Sequence, residues 1–292
     1  MGIVNATPDS FSDAGLDRSL EARVARARAL VASGAAFIDI GGESGVTNRP
    51  AVGAEEEIQR VVPLIQRVCA ELDVHVSVDT YKPAVARAAI AAGACLVNDV
   101  SGLRDPELAD VCAQTGAGLV IMHTRARPKQ KLLDSGWDGR IRPDVTSFLA
   151  ERIAVAMGRG VSEEQIVLDP GPDFGKTPAQ TIDVLAALGD LRSFARPILL
   201  AVSRKDFIGA LTGRAPRERL AGTLAALDHG VQAGAHLLRV HEVAAARDYL
   251  LVRAALRREI EIAPGLRLAD AVRRQQDDGA DPAVRPAQPL DS

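Results

Sequence analysis

Residues 75–99, HVSVDTYKPAVARAAIAAGACLVND, decide the fold. The stretch opens on one short aliphatic run, HVSVDT, and closes on another, CLVND. Between them PAVARAAIAAGA begins at Pro83 and ends at Gly93. Proline suits a first helical turn, where its missing N–H would have no helical partner anyway, and glycine suits the stop. The spacing therefore predicts a strand, a helix and a second strand in close succession.

The same grammar extends in both directions. Aliphatic runs recur at GIVN (2–5), FIDIGG (37–42), GLVIMH (118–123), IVLDPG (166–171), PILLAVS (197–203) and HLLRVH (236–241), giving roughly eight strands in all. In SLEARVARARALVASG, Leu20, Val24, Ala27 and Leu30 fall at helical spacing before Gly34. In EEEIQRVVPLIQRVCAEL the predicted apolar face is Ile58, Val62, Ile65 and Cys69. Near-continuously apolar strands alternating with helices imply a parallel sheet covered on its faces. About eight such units favour a (β/α)8 TIM barrel over an open doubly wound sheet. We expect this α/β barrel to form one domain over residues 1–262. The remainder, 263–292, contains QQDDGADPAVRPAQPLDS, which is polar and proline-rich and reads as disordered.

Composition limits the function classes. The 292 residues are 47% hydrophobic and 25% charged, with a net charge of -3, so no general attraction to nucleic acid or to an anionic membrane is expected. Cys69, Cys95 and Cys112 form no CxxC pair, which points to a reducing cytoplasm rather than to disulfides or zinc. MGIVNATPDSF has neither a basic leader nor a signal-length apolar stretch, and no apolar run approaches the ~20 residues of a membrane span.

Barrel chemistry sits at the C-terminal ends of the strands, so the residues closing each run matter most. They are Asn5, Glu43, Asp79, Asn98 with Asp99, His123, Asp169, Ser203 with Arg204 and Lys205, and Arg239 with His241. Arg239 and His241 are two apart, leave one face of their strand and suit phosphate oxygens. Asn98 and Asp99 are adjacent, so only one should face the pocket. Lys205 could be a phosphate ligand, a Schiff-base nucleophile or a solvated lysine. PGPDFGKT is one residue short of a Walker loop, since three residues rather than four separate Gly171 and Gly175. The five histidines lack metal-ligand spacing. TRARPKQKLLDSGWDGRIRP, around Trp137, reads either as a solvated connection or as a lid.

Eight motifs in order, NATPDSFSD, DIGGES, SVDTYKP, NDVSG, MHTRARP, DPGPDFGKT, SRKDFIG and RVHEV, resemble the dihydropteroate synthase family over residues 1 to about 260. The resemblance implies a barrel that condenses 6-hydroxymethyl-7,8-dihydropterin diphosphate with p-aminobenzoate, giving 7,8-dihydropteroate and pyrophosphate. It implies pterin contacts from Asp79, Asn98, Met122, Asp169, Phe174 and Lys205, and diphosphate contacts from Asn5, Arg239 and His241. Asn5 would also hold Mg²⁺, and Asp79, Lys205, Arg239 and His241 would carry the catalysis. Thr7, Phe11, Arg49, Pro50 and Asp206 would form the p-aminobenzoate loops, and the resemblance implies a homodimer. The sequence departs from the family pattern in four places: GVTN enlarges the second loop, Asp206 follows SRK, HEV replaces HDV, and PDF replaces the usual short run before FGK. A second reading is a synthase-like paralogue that binds a pterin or a related ligand with little or no synthase activity. A third, a methyltransferase-type barrel serving a corrinoid partner, is disfavoured by TPDSF and SRK.

Overall fold

The computed structural model describes residues 1–7, 19–44, 50–130, 132 and 135–269. Eight parallel strands alternate with helices, as the motif spacing predicts. The strands are β1 (Gly2–Asn5), β2 (Phe37–Gly41), β3 (His75–Asp79), β4 (Leu96–Asp99), β5 (Gly118–Met122), β6 (Ile166–Asp169), β7 (Leu199–Leu200) and β8 (Leu237–Leu238). The helices are α1 (Leu20–Ala32), α2 (Ala54–Glu71), α3 (Pro83–Ala91), α4 (Glu107–Thr115), α5 (Ile141–Gly158), α6 (Pro178–Ala186), α7 (Asp206–Thr212), α8 (Leu220–Ala233) and α9 (Val243–Leu256). β1 to β6 pair in sequence order, and β7 pairs with β8. Parallel bridges Leu168 to Ile198 and Gly2 to Val240 join the two sheets and close the barrel.

Alternation along the strands sorts the core into two parts. One small apolar cluster holds Leu96, Val120, Leu199 and Ala201, with Met1, Phe37, Val167 and Leu237 packed on it. These are the inward positions, and they fill the barrel as a plug. Their strand neighbours, among them Ile38, Val97, Leu119, Ile121, Leu168 and Leu200, belong to the larger cluster beneath the helices. Because side chains alternate with period two, the next inward position above each plug residue is fixed. Phe37 is followed by Asp39, Leu96 by Asn98, Val120 by Met122, Val167 by Asp169 and Leu237 by Arg239.

Helix α2 corrects one expectation. Its buried face is Val61, Leu64, Ile65 and Val68, with Ile58 and Val62 only partly covered and Cys69 exposed. The buried stripe also includes Glu57, a charged residue that an apolar-spacing reading passes over, and its carboxylate pairs with Lys82. Contacts divide the chain into two units, Met1–Leu250 and Leu251–Ser292. In the second, Arg253 pairs with Glu259 at 2.7 Å. The reading of the chain's end as disordered falls, from residue 270 onward, outside the described residues.

Candidate active site

Four inward side chains form the floor of a charged cup above the apolar plug. Arg239 on the β8 turn donates from Nε to Asp39 Oδ2 at 2.6 Å and from Nη2 to Asp79 Oδ2 at 2.7 Å. Asn98 donates from Nδ2 to the same Asp39 oxygen at 3.2 Å. Asp39 is completely buried, and its Oδ1 has no hydrogen-bond partner among the described residues. Burial is the main cause that pushes the Asp79 carboxyl up to about 7, with Asp39 and Glu57 adding to it against the pull of Arg239 and Lys205. Burial works against the Arg239 charge, but Asp39 and Asp79 outweigh it and hold the guanidinium above its ordinary pKa. The unpaired Asp39 acceptor suits a ligand edge that presents N–H donors, and a carboxyl that can gain or lose its proton near neutral pH suits an edge carrying both donors and acceptors.

The turn after β6 supplies the cup's next wall. Asp169 is 3% exposed, and its Oδ1 accepts the Gly171 N–H at 2.7 Å. Burial raises its pKa, against that hydrogen bond and the nearby Lys205 and Lys176. Only glycine fits at position 171: φ is +62°, and an added Cβ would lie 1.9 Å from the His123 carbonyl oxygen. The loop then doubles back on Lys176. That lysine is 1% exposed and donates to the carbonyls of Gly171 at 2.7 Å, His123 at 3.2 Å and Phe174 at 3.3 Å. Burial drives its pKa down to about 7. Thus the lysine of the Walker-like stretch ties loops together. Phe174, half-buried beside it, lies under the Lys205 ammonium, which is 4.3 Å from the ring centroid. Burial lowers the Lys205 pKa, opposed chiefly by Asp173 and Asp169.

Two histidines at strand ends have opposite fates. His241 Nδ1 lies 3.0 Å from Ser203 Oγ, which also accepts the His241 main-chain N–H at 3.2 Å. Burial first, then Arg204, Arg239 and Lys205, push its pKa down to about 3, so it is a neutral imidazole near pH 7. The paired serine favours the tautomer with the proton on Nε2, a neutral donor. His123 instead turns into the helix layer, where Nε2 meets Asp144 of α5 at 3.0 Å. Its placement corrects the reading of His123 as a pocket residue. The Asp144 carboxylate also takes Arg125 at 2.6 Å, and Arg125 stacks 3.3 Å from the Trp137 ring centroid, so the basic stretch after β5 is tied down at this point.

A family model described as pterin binding enzyme matches residues 1–241. The dihydropteroate synthase of Bacillus subtilis (strain 168) is 42% identical over 244 residues, 83% of each chain. The chain belongs to the dihydropteroate synthase family. Solved structures of Xanthomonas albilineans dihydropteroate synthase resemble it closely. The one with 4-aminobenzoic acid gives a TM-score of 0.81 at 44% identity, covering 88% of this chain and 92% of that one. The one in complex with 7,8-dihydropteroate gives 0.79 at 43%, with the same coverage.

The residues that the family resemblance assigns to the pterin, Asp79, Asn98, Met122, Asp169, Phe174 and Lys205, lie on the inward strand positions and the two turns just described. Met122 is 1% exposed. Asn5 ends β1, half-buried and level with Gly41 of β2. Thr7 is buried, and its carbonyl accepts from Arg23 at 3.3 Å. Pro50 is exposed. Phe11 and Arg49 lie outside the described residues. Asp206 is 87% exposed on its side chain and pairs with Arg219 at 2.9 Å, so its carboxylate is turned to solvent and partly neutralised. Asp99 caps the following turn through the N–H groups of Ser101 and Leu103, at 2.7 and 2.6 Å, leaving Asn98 to face the cup.

Sequence reasoning missed Asp39. It looked to the residue closing the second run, Glu43, whereas the inward register selects a charge in the middle of the strand. An aspartate inside an apolar, doubly covered strand was the available signal.

Proposed function

We propose that the protein condenses 6-hydroxymethyl-7,8-dihydropterin diphosphate with p-aminobenzoate, forming 7,8-dihydropteroate and releasing pyrophosphate. The observation that carries this reading is the cup itself, in which buried Asp39 and Asp169 and half-buried Asp79 offer acceptors beside Arg239. A pterin presents ring N–H groups and an amino group along one edge, and these are the donors such acceptors require. In this reading Asp169 accepts from that edge, Lys205 donates to the carbonyl side, and Met122 and Phe174 cover the ring faces. The leaving diphosphate develops negative charge outside this slot. Arg239, whose Nη1 takes part in neither carboxylate pair, and the neutral His241 are the donors proposed to stabilise it.

Mg²⁺ is part of the proposal. Among the described residues no group of three His, Cys, Asp or Glu side chains could hold a metal. Asn5 offers one neutral oxygen. That donor set fits an ion that keeps most of its waters and binds chiefly to phosphate oxygens, which is the habit of Mg²⁺. When bound, the ion would neutralise charge on the departing pyrophosphate. The reading also places the protein in a reducing compartment, which its free cysteines Cys69, Cys95 and Cys112 suit, and makes it a homodimer on family grounds.

The Asp206 departure from the family pattern does not favour the paralogue reading, because its carboxylate is exposed and paired with Arg219. The deciding assay supplies the purified protein with pterin diphosphate, Mg²⁺ and p-aminobenzoate. Pyrophosphate released in proportion to added arylamine, with 7,8-dihydropteroate as product, is the expected result. Tight pterin binding without turnover would establish the paralogue instead.

A further inference from the structure

Helix α7 begins in an unusual way. Its N-cap position is Lys205, whose side chain makes no capping bond. Helix starts normally carry Ser, Thr, Asp or Asn there, because the first N–H groups have no partner within the helix. Here the cap comes from another loop. Asp173, in the turn after β6, accepts the Asp206 N–H on Oδ2 at 2.6 Å and the Phe207 N–H on the same oxygen at 3.4 Å. Its Oδ1 accepts from Thr181 Oγ1 at 3.0 Å, and its own N–H donates to that hydroxyl at 3.0 Å, so the carboxylate is fixed at both ends.

The substitution of cap donors has a consequence for the site. Because Asp173 caps the helix, the Lys205 side chain is left to lie over Phe174, the residue that follows Asp173 directly. Each of the two turns carries one left-handed residue, Arg204 at φ +60° after β7 and Asp173 at φ +64° after β6. Such conformations persist only where the surroundings over-determine them. Three clamps do so here. Asp173 holds the N–H groups of 206 and 207, Thr223 Oγ1 accepts the Arg204 N–H at 3.1 Å, and Arg219 Nη1 donates to the carbonyls of Arg204 at 2.8 Å and Lys205 at 3.1 Å.

We propose that Asp173 is a positioning residue for the condensation: by capping α7 from the turn after β6, it fixes Lys205 against Phe174 and sets the spacing across the pterin pocket. This rests on the reading of Lys205 and Phe174 as pterin-pocket residues.

The test uses the full chain and reads the Kd for pterin diphosphate alongside kcat and KM. Asp173→Ala weakens pterin binding about tenfold or more, since small misplacements of positioned groups are costly in binding and rate. Hydrogen exchange at the amides of Asp206 and Phe207 accelerates in the same variant. Asp173→Asn keeps an oxygen able to accept those N–H groups and restores affinity to within about threefold. Asp206→Pro removes the accepted N–H from the other side. Proline fits that first helical position, and Lys205 before it is already extended at φ −65° and ψ 156°. It reproduces the Asp173→Ala defect, and the double variant is no worse than either single one. Should Asp173→Ala fail to fold, Asp206→Pro decides alone. Wild-type pterin affinity in Asp173→Ala or Asp206→Pro, with affinity lost in Lys205→Ala, overturns the proposal and leaves the pocket standing. Retained affinity in Lys205→Ala removes the pocket reading, and this proposal with it.

Discussion

Two ionic groups lie at the mouth of the barrel, and in each a half-buried Lys or Arg pairs with two carboxylates. Lys82, just before α3, pairs with Glu43 of the loop after β2 at 2.8 Å and with Glu57 of α2, and Lys129 lies 4.0 Å from Glu43. Glu43 also accepts the Val52 N–H at 2.7 Å and the Tyr81 hydroxyl at 3.0 Å. In the cup, Arg239 pairs with Asp39 and Asp79. Burial opposes the Glu43 charge, yet its donors win and hold its pKa below the ordinary 4.5. For Asp79 burial wins, and the carboxyl rises to about 7. The difference is in the number of donors. A closed network that satisfies its oxygens serves the scaffold, whereas one that leaves Asp39 Oδ1 unused is built to receive donors from elsewhere.

The sharpest way to break this comparison is to remove each cation. Arg239→Ala leaves Asp39 and Asp79 buried together, which should cost about 3–5 kcal/mol of stability. It should also lower kcat/KM by at least ~10³-fold, because a transition-state donor is lost. Lys82→Ala should cost a similar ~3–5 kcal/mol in denaturant unfolding. Folded Lys82→Ala protein should still bind pterin diphosphate within about threefold of wild type, as its network has no acceptor to offer. Loss of pterin binding in fully folded Lys82→Ala protein would erase the distinction.

A smaller effect separates the two by pH. Asp79 has a folded pKa raised from 3.8 to about 7, so the folded state holds the proton over that window and stability falls as pH rises through it. Glu43 is depressed, so its contribution is present above 4.5 and is lost as pH falls through its lower folded pKa. Unfolding free energies measured from pH 3 to 8 should therefore flatten between about 4 and 7 in Asp79→Asn, by up to ~1.4 kcal/mol per pH unit. In Glu43→Gln they should flatten only on the acid side. Identical profiles for the two variants would contradict the contrast.

The smallest expected effect belongs to the rim. Asp206→Ser should shift stability by no more than ~0.5 kcal/mol, since its ion pair is exposed. The KM for p-aminobenzoate should fall by a factor of ~2–3, because a solvated, paired carboxylate repels weakly. A tenfold change would mean that Asp206 swings inward when the second substrate binds.

Much of this was legible from residues alone. Pro83 and Gly93 bracketed a helix that runs from Pro83 to Ala91, and eight apolar runs marked eight strands. Asn98 rather than Asp99 faces the cup, as adjacency on a strand required. Other features were not legible, for a physical reason in each case. His123 ends its strand in a pocket-like context, but Asp144, 21 residues later, draws it into the helix layer. Lys176 looked like part of a failed phosphate loop until three carbonyls were seen to converge on it. Asp206 departs from the family pattern beside the second-substrate loops, but its side chain is mostly exposed and paired with Arg219, which lies 13 residues further along the chain.

Local chemistry therefore determined the element order, because periodicity and turn residues act over a few neighbours, and the eight ordered motifs carried the resemblance to the family. Tertiary structure alone decided which charges were spent on each other and which were kept for a ligand. That outcome depends on partners far apart in the chain, such as Arg239 with Asp39 and Asp173 with the start of α7, brought within hydrogen-bond reach only when the barrel closes.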